Sequence, residues 1–388
     1  MKKILLMNTN LSVGGISSSM INTANELSNY YDVSIYCFNP EGALREKISS
    51  NVRILDSSWR VKALCLTLKE AKKCGLKYLL FKVFSRCWSV VLNNRFPIYL
   101  AIKSQNYLGH YDMACSFTHE HEKHIEYTGL IRVLISKVNS RKKLTWVHCD
   151  YNHFRITNFN NKYYNKMDAI VGVTESVAEA FKKTHVGLNV PIDVCPNMLD
   201  YRKIYEYADV EQKIKYKSSK LVCFSACRLT EVKGIPRAIY AIKESLKKND
   251  VCWYIAGDGP EKQKILELIQ QYDLYDYIIL LGETTNPFCY LKNADLYISV
   301  SYQEAAPLVY MEAKALHVPV FSTLTLSAKE LLDKDIDFIC DNNESSIAEV
   351  FDEITQNVSM VKNRKNMLKN YCGNNNKALD FYKRWTGE

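Results

Sequence analysis

Short apolar runs alternate along this chain with longer stretches of amphipathic, helix-like spacing. Lys3–Met7, Val33–Phe38, Asp112–Phe117, Leu144–His148, Ala169–Val173 and Ile192–Cys195 read as strands. A polar loop over Asn8–Ser19 leads to a helix carrying Met20, Ala24 and Leu27, and Thr174 offers an N-cap to a helix over Ser176–Lys183. Met198–Ser219 is polar, charged and tyrosine-rich, and reads as a connection between domains. The alternation then restarts with strands at Leu221–Ala226, Cys252–Ala256, Ile278–Gly282, Leu296–Val300 and Val318–Ser322. Helices are expected between them at Ile235–Lys247, Glu261–Gln271, Pro287–Lys292 and Leu308–Leu316, and a final helix at Lys377–Trp385. Apolar strands separated by amphipathic helices predict parallel sheets covered on both faces, so an α/β architecture built twice.

Composition adds limits to that picture. A chain of 388 residues can support two cores. The opening MKKILLM is too short an apolar run for a signal peptide, and no segment approaches the length of a membrane span. The 13 cysteines include no CxxC pair, and Cys37, Cys223 and Cys252 lie inside apolar strands, the pattern of reduced thiols in a cytoplasmic protein. The net charge of +9 is concentrated: residues 60–103 hold ten Lys/Arg and a single acid, Glu70, among Leu, Phe, Val, Tyr and Trp. Two readings of that segment stay open. It rests on an anionic lipid surface, or it is a solvated helix face packed on its domain. No nucleic-acid motif accompanies it.

In an open parallel sheet, ligands bind beyond the carboxyl ends of the strands, and four motifs fall there. Gly14-Gly15 follows the first strand and permits close backbone approach to a phosphate or sugar, but it is neither GxGxxG nor a P-loop. Arg228 and Lys233 follow the strand Leu221–Ala226; a fork and a point charge at that place suit a diphosphate. Gly257-Asp258-Gly259-Pro260 ends the next strand, either as a tight turn or as part of a site. Glu304 and Glu312 flank the start of a helix at Pro307, whose free N–H groups and dipole favour an anion. If helical, their spacing of eight residues is about 12 Å, beyond the roughly 5–9.5 Å of a glycosidase pair. They therefore suit two parts of one elongated ligand rather than acid and base on one bond.

Taken in order, the GG loop, R-x4-K-G, GDGP and E-x7-E with its following helix and VPV strand resemble the retaining GT-B glycosyltransferases of family 4. That resemblance implies two Rossmann-like doubly wound domains facing a central cleft: an acceptor-side domain over 1–197 and a donor domain over 198–374, with a C-terminal helix, 375–388, packing back on the first. It implies a nucleoside-diphosphate sugar, expected to be a UDP-sugar, as co-substrate, and neither cofactor nor metal. Arg228 and Lys233 would hold the diphosphate, Glu304 the sugar hydroxyls and Glu312 the ribose. Backbone at Ala305, Ala306, Pro307, Leu308 and Val309 would meet the sugar and diphosphate, Gly14, Gly15 and Gly257 would flank the donor, and Gly282, Glu283 and Thr284 would touch the base. Trp146-Val147-His148-Cys149-Asp150 resembles the family's strand-end element, placing His148 at the reacting sugar, with Asn197 at the domain junction. Ala305-Ala306-Pro307 departs from the family's glycine-rich step, which leaves the identity of the sugar open.

The cluster His119-Glu120-His121-Glu122-Lys123-His124 has the residue types of a metal site, but an acceptor-contacting loop or a solvated face is preferred, because a zinc site needs a closed ligand set. Partners expected on this reading are the donor, a glycan or lipid-linked acceptor, and an anionic membrane surface on the cytoplasmic side, in lipid-linked oligosaccharide or surface polysaccharide assembly. Two rival functions remain: another GT-B sugar-nucleotide enzyme, such as an epimerase or inverting transferase, and a non-catalytic sugar-nucleotide-binding or scaffold protein.

Overall fold

A computed structural model describes residues 1–120, 129–153, 160–218 and 221–388. The chain divides into two units: residues 1–199 with 375–388, and residues 200–374. Each is built on one parallel sheet.

The first sheet runs β3-β2-β1-β4-β5-β6-β7, formed by β1 (Lys3–Asn10), β2 (Asp32–Asn39), β3 (Arg53–Leu55), β4 (Gly109–Ser116), β5 (Val138–Val147), β6 (Ala169–Gly172) and β7 (Ile192–Val194). The second runs β10-β9-β8-β11-β12-β13, from β8 (Leu221–Ala226), β9 (Val251–Ala256), β10 (Ile278–Gly282), β11 (Leu296–Ser299), β12 (Val320–Thr323) and β13 (Phe338–Cys340). Central strands are apolar on both faces because helices cover both; all six residues of β9 are buried. In each sheet the strand order reverses once, between β1 and β4 and between β8 and β11. Those reversals are the switch points where connections leave to opposite sides and a crevice opens.

The segment read as a polar connection, Met198–Ser219, contains a helix, Tyr201–Ala208. Asp200 caps it by accepting from the Lys203 N–H at 3.0 Å. Its buried side chains are Ile204 and Ala208, one turn apart, too narrow a stripe to show as periodicity. The basic stretch resolves into four helices, Trp59–Cys65, Leu68–Cys74, Leu76–Val91 and Arg95–Ser104.

The helix Asn376–Thr386 closes the first unit. The Trp146 indole of β5 stacks on Phe117 (centroids 4.9 Å apart) and on Tyr382 of this helix (5.9 Å). Arg384 and Trp385 both donate to one Asp193 oxygen, at 2.6 and 2.8 Å, and the Lys2 ammonium donates to the Thr386 carbonyl at 2.6 Å. All thirteen cysteines are free thiols. No helix among the described residues is long and apolar enough to cross a membrane.

Candidate functional site

β8 and β11 are direct neighbours, with Cys223 opposite Leu296 and Phe224 opposite Tyr297. Their connections therefore emerge side by side at the switch point of the second unit. After β8 the chain makes a short turn, Glu231–Lys233, ended by Gly234 in the left-handed region at φ 66°. A Cβ there would lie 2.3 Å from the Val300 carbonyl oxygen. Glycine is required both for that conformation and for the close approach of the two loops.

This approach joins the β8 cation to the β11 carboxylate. Lys233 Nζ donates to Glu304 Oε1 at 2.5 Å, and Ser301 Oγ donates to the same oxygen at 2.8 Å. Both charged groups are mostly shielded, 28% and 15% exposed. Burial disfavours the Lys233 ammonium, but the Glu304 charge and hydrogen bond outweigh it and hold the lysine above its ordinary value. The Arg228 side chain stands exposed at the start of the same turn. Glu312 lies half-buried in the helix Leu308–Ala315. Beneath them, the buried Tyr297 hydroxyl donates to the Ala226 carbonyl at 3.0 Å. Burial raises this phenol most, and the nearby Glu312 and Glu304 carboxylates add to that, so both glutamates act on one buried group. The Cys227 thiol is pushed up to about 11, chiefly by burial, which keeps it protonated and unreactive near neutrality.

Ala305 and Ala306 lead into Pro307, whose extended backbone (φ −65°, ψ 123°) precedes the helix without a side-chain cap. The first N–H groups, at Leu308 and Val309, thus lack a capping side chain. Gly257 and Gly259 serve the same wall from inside: at φ 145° and 157°, Cβ atoms would fall 1.9 Å from the Cys227 carbonyl oxygen and 2.3 Å from that of Leu229. They let the β9 loop support the Arg228 turn. Gly282 differs. It ends β10 at φ 73° where the register slips, and a Cβ there would meet nothing within 4 Å. Glu283 beyond it is exposed, and the Thr284 hydroxyl accepts from the Asn286 N–H at 3.2 Å.

The remaining expected site residues belong to the first unit. Gly14 precedes the helix Gly15–Leu27, and a Cβ on either Gly14 or Gly15 would meet nothing within 4 Å. Packing does not demand glycine at either place, which leaves the backbone open to close approach by a ligand. Asn197 Oδ1 accepts from Ser19 Oγ at 2.7 Å, tying the end of this unit to that helix. His148 follows β5 beside the Phe117 ring (5.9 Å). Its Nε2 is buried without a hydrogen-bond partner among the described residues. Burial lowers its pKa to about 3, so the imidazole is neutral and able to share one proton or one lone pair with a ligand.

Of the His/Glu cluster, His121, Glu122, Lys123 and His124 lie outside the described residues. Glu120 is turned inward: its oxygens accept from the Gly129 and Ile131 N–H groups at 2.9 and 3.1 Å, and Arg132 lies 3.7 Å away.

Several positioning groups are not apparent as motifs. Arg237 donates through Nη2 and Nε to the Val300 carbonyl (2.8 and 3.2 Å), and its guanidinium lies 3.7 Å from the Tyr302 ring centroid. Arg237 also donates to Asn342, which donates to the Tyr302 carbonyl at 2.9 Å. Thr323 donates to the Ser301 carbonyl at 2.7 Å. Together they fix the loop that carries Glu304. The one available signal was a charged residue, Arg237, among the buried positions of the helix Ile235–Lys248.

Residues 208–371, nearly all of the second unit, match the family model described as glycosyl transferases group 1. That match covers less than half of the chain, so the likeness to group 1 glycosyltransferases is one of the second unit. Similar proteins include the uncharacterized glycosyltransferase MJ1059 of Methanocaldococcus jannaschii, 28% identical over 165 residues (42% of this chain, 41% of that protein). The putative colanic acid biosynthesis glycosyltransferase WcaL of Escherichia coli K12 is 33% identical over 132 residues (31% of this chain, 32% of that protein). The chain thus spans less than half the length of these curated relatives. Over both full chains, Anabaena HepE in complex with UDP superposes with a TM-score of 0.68 at 14% identity. S. aureus TarM, solved as a mutant in complex with Fondaparinux, alpha-GlcNAc-glycerol and UDP, gives 0.67 at 15%, also over both full chains. At such identity the likeness establishes the fold, which is GT-B.

Proposed function

We propose that this protein is a group 1 glycosyltransferase, retaining and of family 4 type, that moves a sugar from a UDP-sugar to an acceptor hydroxyl without a metal. The observation that carries the reading is the Lys233–Glu304 pair at the β8/β11 switch point, beside an uncapped helix start. UDP in the solved structures of similar fold supports the nucleotide. On this reading Glu304 takes the sugar hydroxyls and Glu312 the ribose. Arg228, Lys233 and the Leu308 and Val309 N–H groups meet the diphosphate. The bond between the anomeric carbon and the diphosphate oxygen lengthens first. Negative charge then grows on the leaving oxygen, where fixed cations and N–H groups stabilise it more than they stabilise the ground state. The departing phosphate oxygen takes the acceptor proton as the acceptor bonds from the same face, so configuration is retained and no separate base is needed. A neutral His148 accords with a hydrogen bond to the sugar rather than with proton abstraction.

The names of WcaL and of an Escherichia coli O-antigen biosynthesis glycosyltransferase, WclY, support a role in surface polysaccharide or lipid-linked oligosaccharide assembly. The basic stretch 60–103 would then hold the enzyme on the anionic cytoplasmic face of the membrane, near such an acceptor.

The test is a panel of nucleotide sugars, with and without chelator, followed by the stereochemistry of the product. Consumption of a UDP-sugar in chelator, with an α-linked donor giving an α-linked product, is expected. A β-linked product overturns retention. Absence of both hydrolysis and transfer overturns the enzymatic reading in favour of a binding protein.

A further inference from the structure

The helices Trp59–Cys65, Leu76–Val91 and Arg95–Ser104 line an open, shallow hollow of about 800 Å³ in the first unit. Trp59, Phe81 and Phe84 line it with aromatic surface, while Arg60, Lys77 and Lys103 bring three cations to it; no Asp or Glu lines it among the described residues. The Trp59 ring packs edge-on against Phe81 at 5.7 Å. Arg60 and Lys77 lie over the same ring, 4.8 and 5.6 Å from its centroid, so both cations stand at the aromatic wall, Lys77 on its solvent-exposed side. The nearby acid, Glu70, is engaged in capping its own helix, accepting from the Thr67 N–H at 2.7 Å. Leu76, Leu80 and Tyr99 on these helices are 70%, 60% and 57% exposed.

An apolar floor with a rim of one sign of charge is complementary to an amphiphile whose head is anionic. We propose that this hollow binds the phosphate head and upper chain of an anionic membrane lipid. The inference rests on the proposed membrane-facing role of 60–103 and adds a discrete headgroup site to it.

Vesicle sedimentation tests it, using phosphatidylcholine alone or with about 30 mol% phosphatidylglycerol. The full chain is expected to bind only the anionic vesicles. Lys77→Gln with Lys103→Gln should weaken that binding roughly thirtyfold, about a factor of five for each surface-proximal charge. Lys72→Gln with Lys73→Gln, on the neighbouring helix and outside the hollow, should weaken it by much less. Leu80→Gln should weaken it at unchanged charge. Equal loss from the two lysine pairs overturns the pocket while leaving general adsorption intact. No binding by the wild-type chain overturns both, and neither result bears on sugar transfer. Binding of inorganic phosphate in the absence of vesicles, with the same dependence on Lys77 and Lys103, overturns the lipid assignment in favour of a free anion. Binding of single-stranded DNA with that dependence overturns it in favour of nucleic acid.

Discussion

Replacing Glu304 by Gln keeps its volume and removes its charge. In the structure this deprives Lys233 of a carboxylate at 2.5 Å and leaves Ser301 an amide oxygen to donate to. The Coulomb attraction of unit charges about 3 Å apart at an effective dielectric near 20 is about 5 kcal/mol. Most of it is offset by the desolvation of two groups that are 28% and 15% exposed. The pair lies between an exposed bridge, worth about 0–1 kcal/mol, and a buried one, whose breakage costs about 3–5 kcal/mol. A coupling of about 1–3 kcal/mol is therefore expected from a double-mutant cycle of Glu304→Gln and Lys233→Met in urea unfolding. The pH dependence has a definite sign. Lys233 is held above its ordinary 10.5, so the pair's stabilisation is complete below that value and is lost as pH rises through the higher folded value. In Glu304→Gln burial is the largest influence left and it lowers the lysine, so the alkaline loss of stability that Lys233 causes should disappear. Turnover of the UDP-sugar should fall about a hundredfold to a thousandfold in each single variant, as for loss of one group aimed at transition-state charge. Coupling below about 0.5 kcal/mol, within the error of independent sites, would refute the energetic joining of the two loops. Wild-type turnover in either variant would remove that residue from the chemistry.

Gly234→Ala should destabilise the second unit by about 2–4 kcal/mol in urea unfolding, since it adds a strained φ and a clash with the Val300 carbonyl; a loss below about 0.5 kcal/mol would show that the two loops are free to part. His148 is lowered to about 3 from an ordinary 6.5, so the unfolded chain binds the extra proton and stability should fall as pH drops from 6.5 towards 3. Thermal melts at pH 7 and pH 4.5 should differ less in His148→Gln than in the wild type, and an equal difference would refute the buried neutral imidazole.

Strands buried on both faces are legible because their apolar runs are continuous; β8, β9 and β11 stand out in the sequence for that reason. The three-residue edge strands β3 and β13 carry too little pattern to be read, and Tyr201–Ala208 hides a two-residue apolar stripe in polar sequence. Among candidate site residues, Arg228, Lys233, Glu304 and Glu312 are visible because the R-x4-K-G and E-x7-E motifs follow one another in a recognisable order at the ends of successive strands. Ser301, Arg237, Asn342 and Thr323 are not, because each acts through a hydrogen bond to a residue distant in the chain or to an ordinary backbone carbonyl.

The sequence by itself determined that the chain alternates strand and helix in two blocks, and that carboxylates and cations stand at the carboxyl ends of the second block's strands. Hydrophobic periodicity and the chemistry of turns are local, so they can be read without a fold. Only the tertiary structure decided which of those groups meet. Lys233 and Glu304 are 71 residues apart in the chain, and nothing local links them. They form a pair because β8 and β11 are adjacent across the sheet's switch point and because Gly234 lets one loop press on the other. Strand order, which is a property of the whole unit, converts two separate motifs into one wall.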